Sequence, residues 1–167
     1  MKNLKEILIR DLKGNTPLHI IASSAAGDRQ QDQIEILLQH DAYRNEMNEE
    51  GKTPLMLAAE HNHVGVATKL LTAAGKNALL ILSPTYIPSY VNTPALHTGQ
   101  TALHFAATHP ASLMLVKVLC QYGADVRLPD NLGYTALQYA QENSNEAVVQ
   151  FLENATLERA EGKSSDE

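Results

Sequence analysis

Apolar residues in this chain come in paired clusters. The first of each pair is short and ends in small residues: Ala22, then Ala58 and Ala59, then Ala106 and Ala107, then Ala140. The second is richer in branched side chains: "IEILL" 34–38, "VATKLL" 66–71, "LVKVLC" 115–120 and "AVVQFL" 147–152. Within the second clusters the spacing is helical, as in Val116, Leu119 and Cys120 or Val148, Val149 and Leu152. A polar phrase precedes each first cluster. Thr16-Pro17-Leu18-His19 returns as Thr53-Pro54-Leu55-Met56, Thr101-Ala102-Leu103-His104 and Thr135-Ala136-Leu137-Gln138, with Gly14, Gly51, Gly99 and Gly133 two residues ahead of each threonine. Threonine before an apolar run is a helix N-cap, proline suits the first helical turn, and glycine supplies the tight turn before it. Each unit therefore predicts turn, short helix, turn, longer helix, and the small residues let the two helices approach closely. The fold class is all-α.

The threonines are 37, 48 and 34 residues apart, which reads as a period of about 33 carrying 4, 15 and 1 extra residues. The first surplus falls in "SSAAGDRQQDQ", expected to be a longer polar loop. The second falls in "ALLILSPTYIPSYVNTPALHTGQ" 78–100, which has three prolines and no Asp, Glu, Lys or Arg. Its apolar run "ALLIL" is too short for a membrane span and its 15 surplus residues too few for a separate core, and it lacks the Gly-x-Thr-x-Leu phrase, so it reads as an insertion between units two and three. "NALLIL" is expected to be helical up to Pro84, and 83–95 an irregular, proline-stiffened loop. Leu79, Leu80, Ile87 and Val91 either pack on the module's own helices, or Tyr86, Ile87, Tyr90 and Val91 stay partly exposed and anchor a partner.

On these phrases, above all "GNTPLHIIA", "NEEGKTPLMLAAEHNH", "TGQTALHFAATH" and "YGADVRLPDNLGYTALQYA", the sequence resembles the ankyrin repeat family over about residues 11–152. The resemblance implies a solenoid of four helix-turn-helix units with β-turn fingers. The units are about 11–47, 48–76, 96–129 and 130–152, with an insertion at about 77–95, all in one domain, 1–152. Met56 and Gln138 stand where the family pattern has His, and Ala102 and Ala136 where it has Pro. Asp41 and Tyr43 take the family's Gly and Asp positions in the link 41–53. Leu4, Ile7, Leu8 and Leu12 are expected to cover part of the first unit. Residues 153–167 read as a fraying helix end and an acidic, disordered tail.

Charge and composition narrow the function. Thirteen basic against 19 acidic residues give a net charge of −6, which argues against an unassisted nucleic-acid or anionic-membrane surface. A single cysteine, Cys120, excludes an internal disulfide framework and favours a reducing compartment. The amino-terminal "MKNLKEILIRDLK" is a poor signal peptide. Of the seven histidines, His19 and His104 occupy the position where, by the resemblance, an imidazole bonds to neighbouring backbone. His61 and His63 form an H-x-H that no Cys or carboxylate cluster completes. No nucleophile-base order, phosphate loop or catalytic carboxylate pair stands out, so no enzyme activity, cofactor or metal is expected.

What remains is binding. A solenoid presents a concave surface of finger tips and exposed first-helix sides, suited to another macromolecule. By the resemblance, its variable positions here are Leu12, Lys13, Ser23 and Ser24 in unit one, and Glu49, Glu50, Lys52, Glu60 and His61 in unit two. Units three and four add His97, Thr98, Gln100, Thr108 and His109, then Asn131, Leu132, Tyr134, Glu142 and Asn143. Unit two is acidic, whereas from Asn77 to Ala124 Lys117 is the only charged residue. The expected partner is another protein, with no nucleic acid or membrane, and the chain is expected to be a monomer. The rival readings are the ankyrin part of a larger enzyme or of a bacterial or viral effector delivered into a host cell, and a structural spacer. The resemblance also implies Asn45 as a candidate for asparaginyl hydroxylation, against an ordinary turn asparagine. The expected setting is cytoplasmic or nuclear.

Overall fold

A computed structural model describes residues 9–25, 29, 31–39, 44–72 and 89–161. Among them lie eight α-helices: α1 Pro17–Ser23, α2 Gln31–Gln39, α3 Pro54–Glu60, α4 Val64–Thr72, α5 Ala102–Thr108, α6 Leu113–Gln121, α7 Ala136–Glu142 and α8 Glu146–Glu161. A short 3-10 helix, Ser89–Asn92, precedes α5. The first helices pack in the order α1, α3, α5, α7 and the second helices in the order α2, α4, α6, α8, so the units stack as two helical layers. The core lies between the layers. Leu18, Leu55 and Leu103 of the phrase, each at most 2% exposed, meet Ile34, Val66, Leu70, Leu115, Leu119, Val148 and Leu152 of the second helices.

The phrase folds as its residues dictate, with one variation. In α3 the Thr53 hydroxyl accepts from the Met56 N–H at 3.4 Å, the expected cap. In α1 and α5 an imidazole replaces the thioether and is the better acceptor. The Nδ1 of His19 takes the Thr16 N–H at 3.1 Å and lies 2.7 Å from its hydroxyl. His104 repeats this with Thr101 at 3.0 and 2.9 Å. In α7 the Gln138 Oε1 accepts from the Thr135 N–H at 2.8 Å. Pro17 and Pro54 open α1 and α3 at the position where no N–H is needed.

Three expectations need correction. The segment after Leu152 is not a disordered tail from 153 onward. α8 continues to Glu161, with Ala155 packed against the core and Thr156 donating to the Leu152 carbonyl at 2.7 Å. Leu12 does not cover the first unit: at the tip of a turn it is 99% exposed. The end of the insertion is not an irregular loop, since 89–92 is helical and Val91 is 1% exposed in the core. "NALLIL", Leu4, Ile7, Leu8, Asp41, Tyr43, Tyr86, Ile87 and part of the "SSAAGDRQQDQ" loop lie outside the described residues.

Candidate partner-binding surface

Each finger begins as a tight turn closed by its own backbone. Asp11, Asn48 and Asp130 donate their N–H to the carbonyl four residues on, at 3.0, 3.0 and 2.8 Å. Their side chains hold the turn from inside. Asp11 Oδ1 accepts from the N–H groups of Lys13 and Asn15, Asn48 Oδ1 from that of Lys52, and Asp130 Oδ1 from those of Leu132 and Tyr134. The third finger differs. Ala95 stands at this position, its N–H reaches Gln100 O five residues on at 2.8 Å, and the tip is one residue longer.

Successive fingers are joined backbone to backbone. Glu49 N–H donates to Lys13 O, Leu96 N–H to Gly51 O and Asn131 N–H to Thr98 O, each at 3.0 Å. Side chains reinforce the row: Asn48 Nδ2 to Asn15 Oδ1 at 2.9 Å, and Asn131 Nδ2 to His97 O at 3.2 Å. The four tips therefore form one continuous rigid row despite the insertion. Glu49, Glu50, His97, Thr98 and Asn131 are exposed along it. Leu132 is 78%, Leu96 65% and Tyr134 39% exposed. Glu60, His61, Glu142 and Asn143 are exposed at the ends of the first helices, with Thr108 and His109 half-buried beside them.

Tyr90 does not join this surface. It is half-buried, its hydroxyl donates to Leu70 O at 2.7 Å, and the Arg44 guanidinium lies 5.4 Å from its ring centre. It pins the returning insertion to the end of α4. Asn45, next to Arg44 in sequence, is exposed, and its Oδ1 accepts from the Thr93 hydroxyl at 3.3 Å.

The position four residues after each phrase threonine, which the sequence reading passed over, faces the same side. Phe105 lies under the Lys52 ammonium, 5.1 Å from its ring centre, and Lys52 is also paired with Glu60 at 2.8 Å and Glu50 at 3.3 Å. Burial pushes the Lys52 pKa down, but the two carboxylates outweigh it and hold the ammonium above its ordinary value. In unit four the equivalent Tyr139 donates to Asp130 Oδ2 at 2.7 Å and lies 6.0 Å from the Tyr134 ring. Burial pushes the Tyr139 phenol up, and the bond to Asp130 adds to it. Burial also pushes Asp130 up, yet the donors from Tyr139, Tyr134 and Leu132 prevail and leave its carboxyl below the usual value. In unit one Ile20 holds this column and is 50% exposed. The signal was the recurrence of a large apolar residue at that phrase position: Ile20, Leu57, Phe105, Tyr139.

Between units, the imidazoles act as links. His19 Nε2 donates to Lys52 O at 3.0 Å and His104 Nε2 to Tyr134 O at 3.1 Å. Both are buried, and desolvation holds both pKa values below 6.5 despite the bonds that favour the cation. A depressed folded-state pKa means the contribution is complete above the unfolded value of about 6.5 and is lost as pH falls through the folded one. Urea melts should show lower stability at pH 5.5 than at pH 7.5. His104→Gln, which copies the Gln138 arrangement and does not titrate, should flatten that dependence. An unchanged slope in the variant would remove His104 from the account.

Stacked helix pairs with hydrogen-bonded fingers are the architecture of the ankyrin repeats, and this chain belongs to that family. The family profile described as "Ankyrin repeats (3 copies)" matches residues 2–80 and 73–159. Ankyrin repeats are generally protein–protein interaction modules. Among curated proteins the chain is similar to the human Notch-regulated ankyrin repeat-containing protein, 37% identical over 65 residues, 39% of this chain and 56% of that protein. It is also similar to the Notch-regulated ankyrin repeat-containing protein A of Danio rerio, 41% identical over 54 residues, 32% of this chain and 47% of that one. The Xenopus tropicalis protein gives 41% over 54 residues, covering 32% and 46%. The chain spans about half the length of the curated relatives it matches. Among the described residues no helix is long and apolar enough to cross a membrane.

Proposed function

We propose that this chain is a non-enzymatic module that holds a partner protein on its finger row and the adjoining first-helix ends. One observation carries the reading: the finger tips are locked into a row by backbone hydrogen bonds, yet the row projects Leu96, Leu132 and Tyr134 into solvent. A turn tip gains nothing in folding from an exposed leucine, whereas a preorganised row with aromatic and aliphatic anchors loses little entropy on binding. The exposed carboxylates Glu49 and Glu142 add negative charge to this surface, Glu50 and Glu60 being paired with Lys52, and favour a partner segment carrying basic residues. The relatives' names extend to one third of this chain and carry no partner across. A cytoplasmic or nuclear setting, in the protein's own cell or a host's, belongs to the same reading.

The test is a Leu132→Glu/Tyr134→Glu double variant compared with wild type in pull-downs from cytosol, the captured protein being identified and its affinity then measured with the purified pair. Binding should fall at least tenfold while thermal unfolding shifts little, because both side chains are exposed. Undiminished binding by the variant would overturn this placement of the surface and favour a spacer.

A further inference from the structure

The end of α3, at the edge of the proposed partner surface, carries a second feature. His61 and His63 flank Asn62, whose φ of 54° turns the chain so that the two imidazoles come to one side, ring centres 5.7 Å apart and planes 30° apart. His61 Nδ1 lies 2.9 Å from Leu57 O, and His63 Nδ1 lies 2.9 Å from Ala22 O. A carbonyl only accepts, so in both rings Nδ1 carries the proton. In the neutral imidazole the other nitrogen, Nε2, is then a bare lone pair. This is the reverse of His19 and His104, whose Nδ1 accepts and whose Nε2 donates. Backbone carbonyls that fix the Nδ1–H tautomer are the usual outer partners of metal-binding histidines, because they orient the ring and raise the basicity of Nε2.

We infer that His61 and His63 form a two-imidazole site for a divalent transition metal ion such as Zn²⁺. With metal–nitrogen bonds of about 2.0–2.1 Å and about 1.1 Å from nitrogen to ring centre, each centre sits roughly 3.2 Å from a shared ion. Two rings on one ion then have centres about 5.2 Å apart at the tetrahedral angle and at most about 6.4 Å apart. The observed 5.7 Å falls inside that range. His61 is exposed and His63 half-buried, so the ion has a path in. Among the described residues no third His, Cys, Asp or Glu joins the pair, so water fills the remaining positions and the affinity is modest. The spacing H-x-H did not reveal this, since a sequence does not show which nitrogen is protonated.

The experiment is calorimetric titration of the untagged full chain with ZnCl₂ at pH 7.5 in a non-coordinating buffer, alongside His61→Ala, His63→Ala and His97→Ala. One saturable site with a dissociation constant in the micromolar range is expected, weakened at least tenfold by His61→Ala and by His63→Ala and unchanged by His97→Ala. His63→Ala also removes the bond to Ala22. If that variant fails to fold, His61→Ala together with nitrogen NMR of the wild type decides. The two rings should give Nδ1–H tautomer spectra, and Zn²⁺ should move their Nε2 resonances first. No saturable binding up to about 1 mM, full binding by His61→Ala, or an Nε2–H tautomer at either ring would overturn the site.

Discussion

Leu103→Ala should destabilise the protein by about 2–5 kcal/mol, the range for deleting most of a buried leucine and leaving part of the cavity unfilled. Leu103 is 1% exposed and sits on α5, which, like α3, is packed on both sides by other first helices, here α3 and α7. Collapse around the missing atoms would have to move both neighbours at once, and the finger row restrains them. The upper half of the range is therefore expected. Denaturant melts decide it: a variant within about 0.5 kcal/mol of wild type, the spread of ordinary surface changes, would mean the central unit is packed in another register.

The second large effect is at a turn. Gly51→Ala and Gly133→Ala place the same side chain at similar left-handed φ values, +71° and +85°. Left-handed backbone alone costs about 1–2 kcal/mol for a residue with a Cβ. At Gly133 nothing lies within 4 Å of that Cβ, so the backbone term is the whole cost. At Gly51 the Cβ would lie 2.5 Å from Leu96 Cβ and 2.9 Å from Leu96 N, the group that bonds to Gly51 O and joins fingers two and three. Backbone cannot swing aside as a side-chain end can. Gly51→Ala should therefore cost about 2–4 kcal/mol in all. Equal destabilisation by the two variants in parallel melts would show that close finger stacking contributes nothing.

The contrast shows what a single sequence carries. The Gly-x-Thr-x-Leu phrase located all four units because cap, turn and core leucine are local requirements, met within a few residues each time. The longer third tip was hidden for the same reason. Its signal is the lack of an Asp or Asn before Gly99, and an alanine in a turn says little until the bond from Ala95 to Gln100 is seen. The finger positions assigned as variable did emerge exposed at Glu49, Glu50, Asn131 and Leu132. Tyr90 was harder: exposure and anchoring predict the same amphipathic residue, and only its bond to Leu70 O separates them. α8 runs to Glu161, nine residues beyond the apolar cluster used to place that helix's end.

Met56 has a mechanical consequence. In units one and three an imidazole reaches across to the next unit's carbonyl, whereas the Met56 sulfur only receives the Thr53 N–H at 3.4 Å and has no proton to give to Gln100 O. The joint between units two and three thus lacks that buried imidazole bond, and it is held by apolar contact, the backbone bond from Leu96 to Gly51, Asn62 Nδ2 donating to Ala111 O at 3.1 Å and His97 Nε2 lying 3.3 Å from Glu49 O. Bending between α3 and α5 therefore breaks one buried imidazole bond fewer than bending at either neighbouring joint.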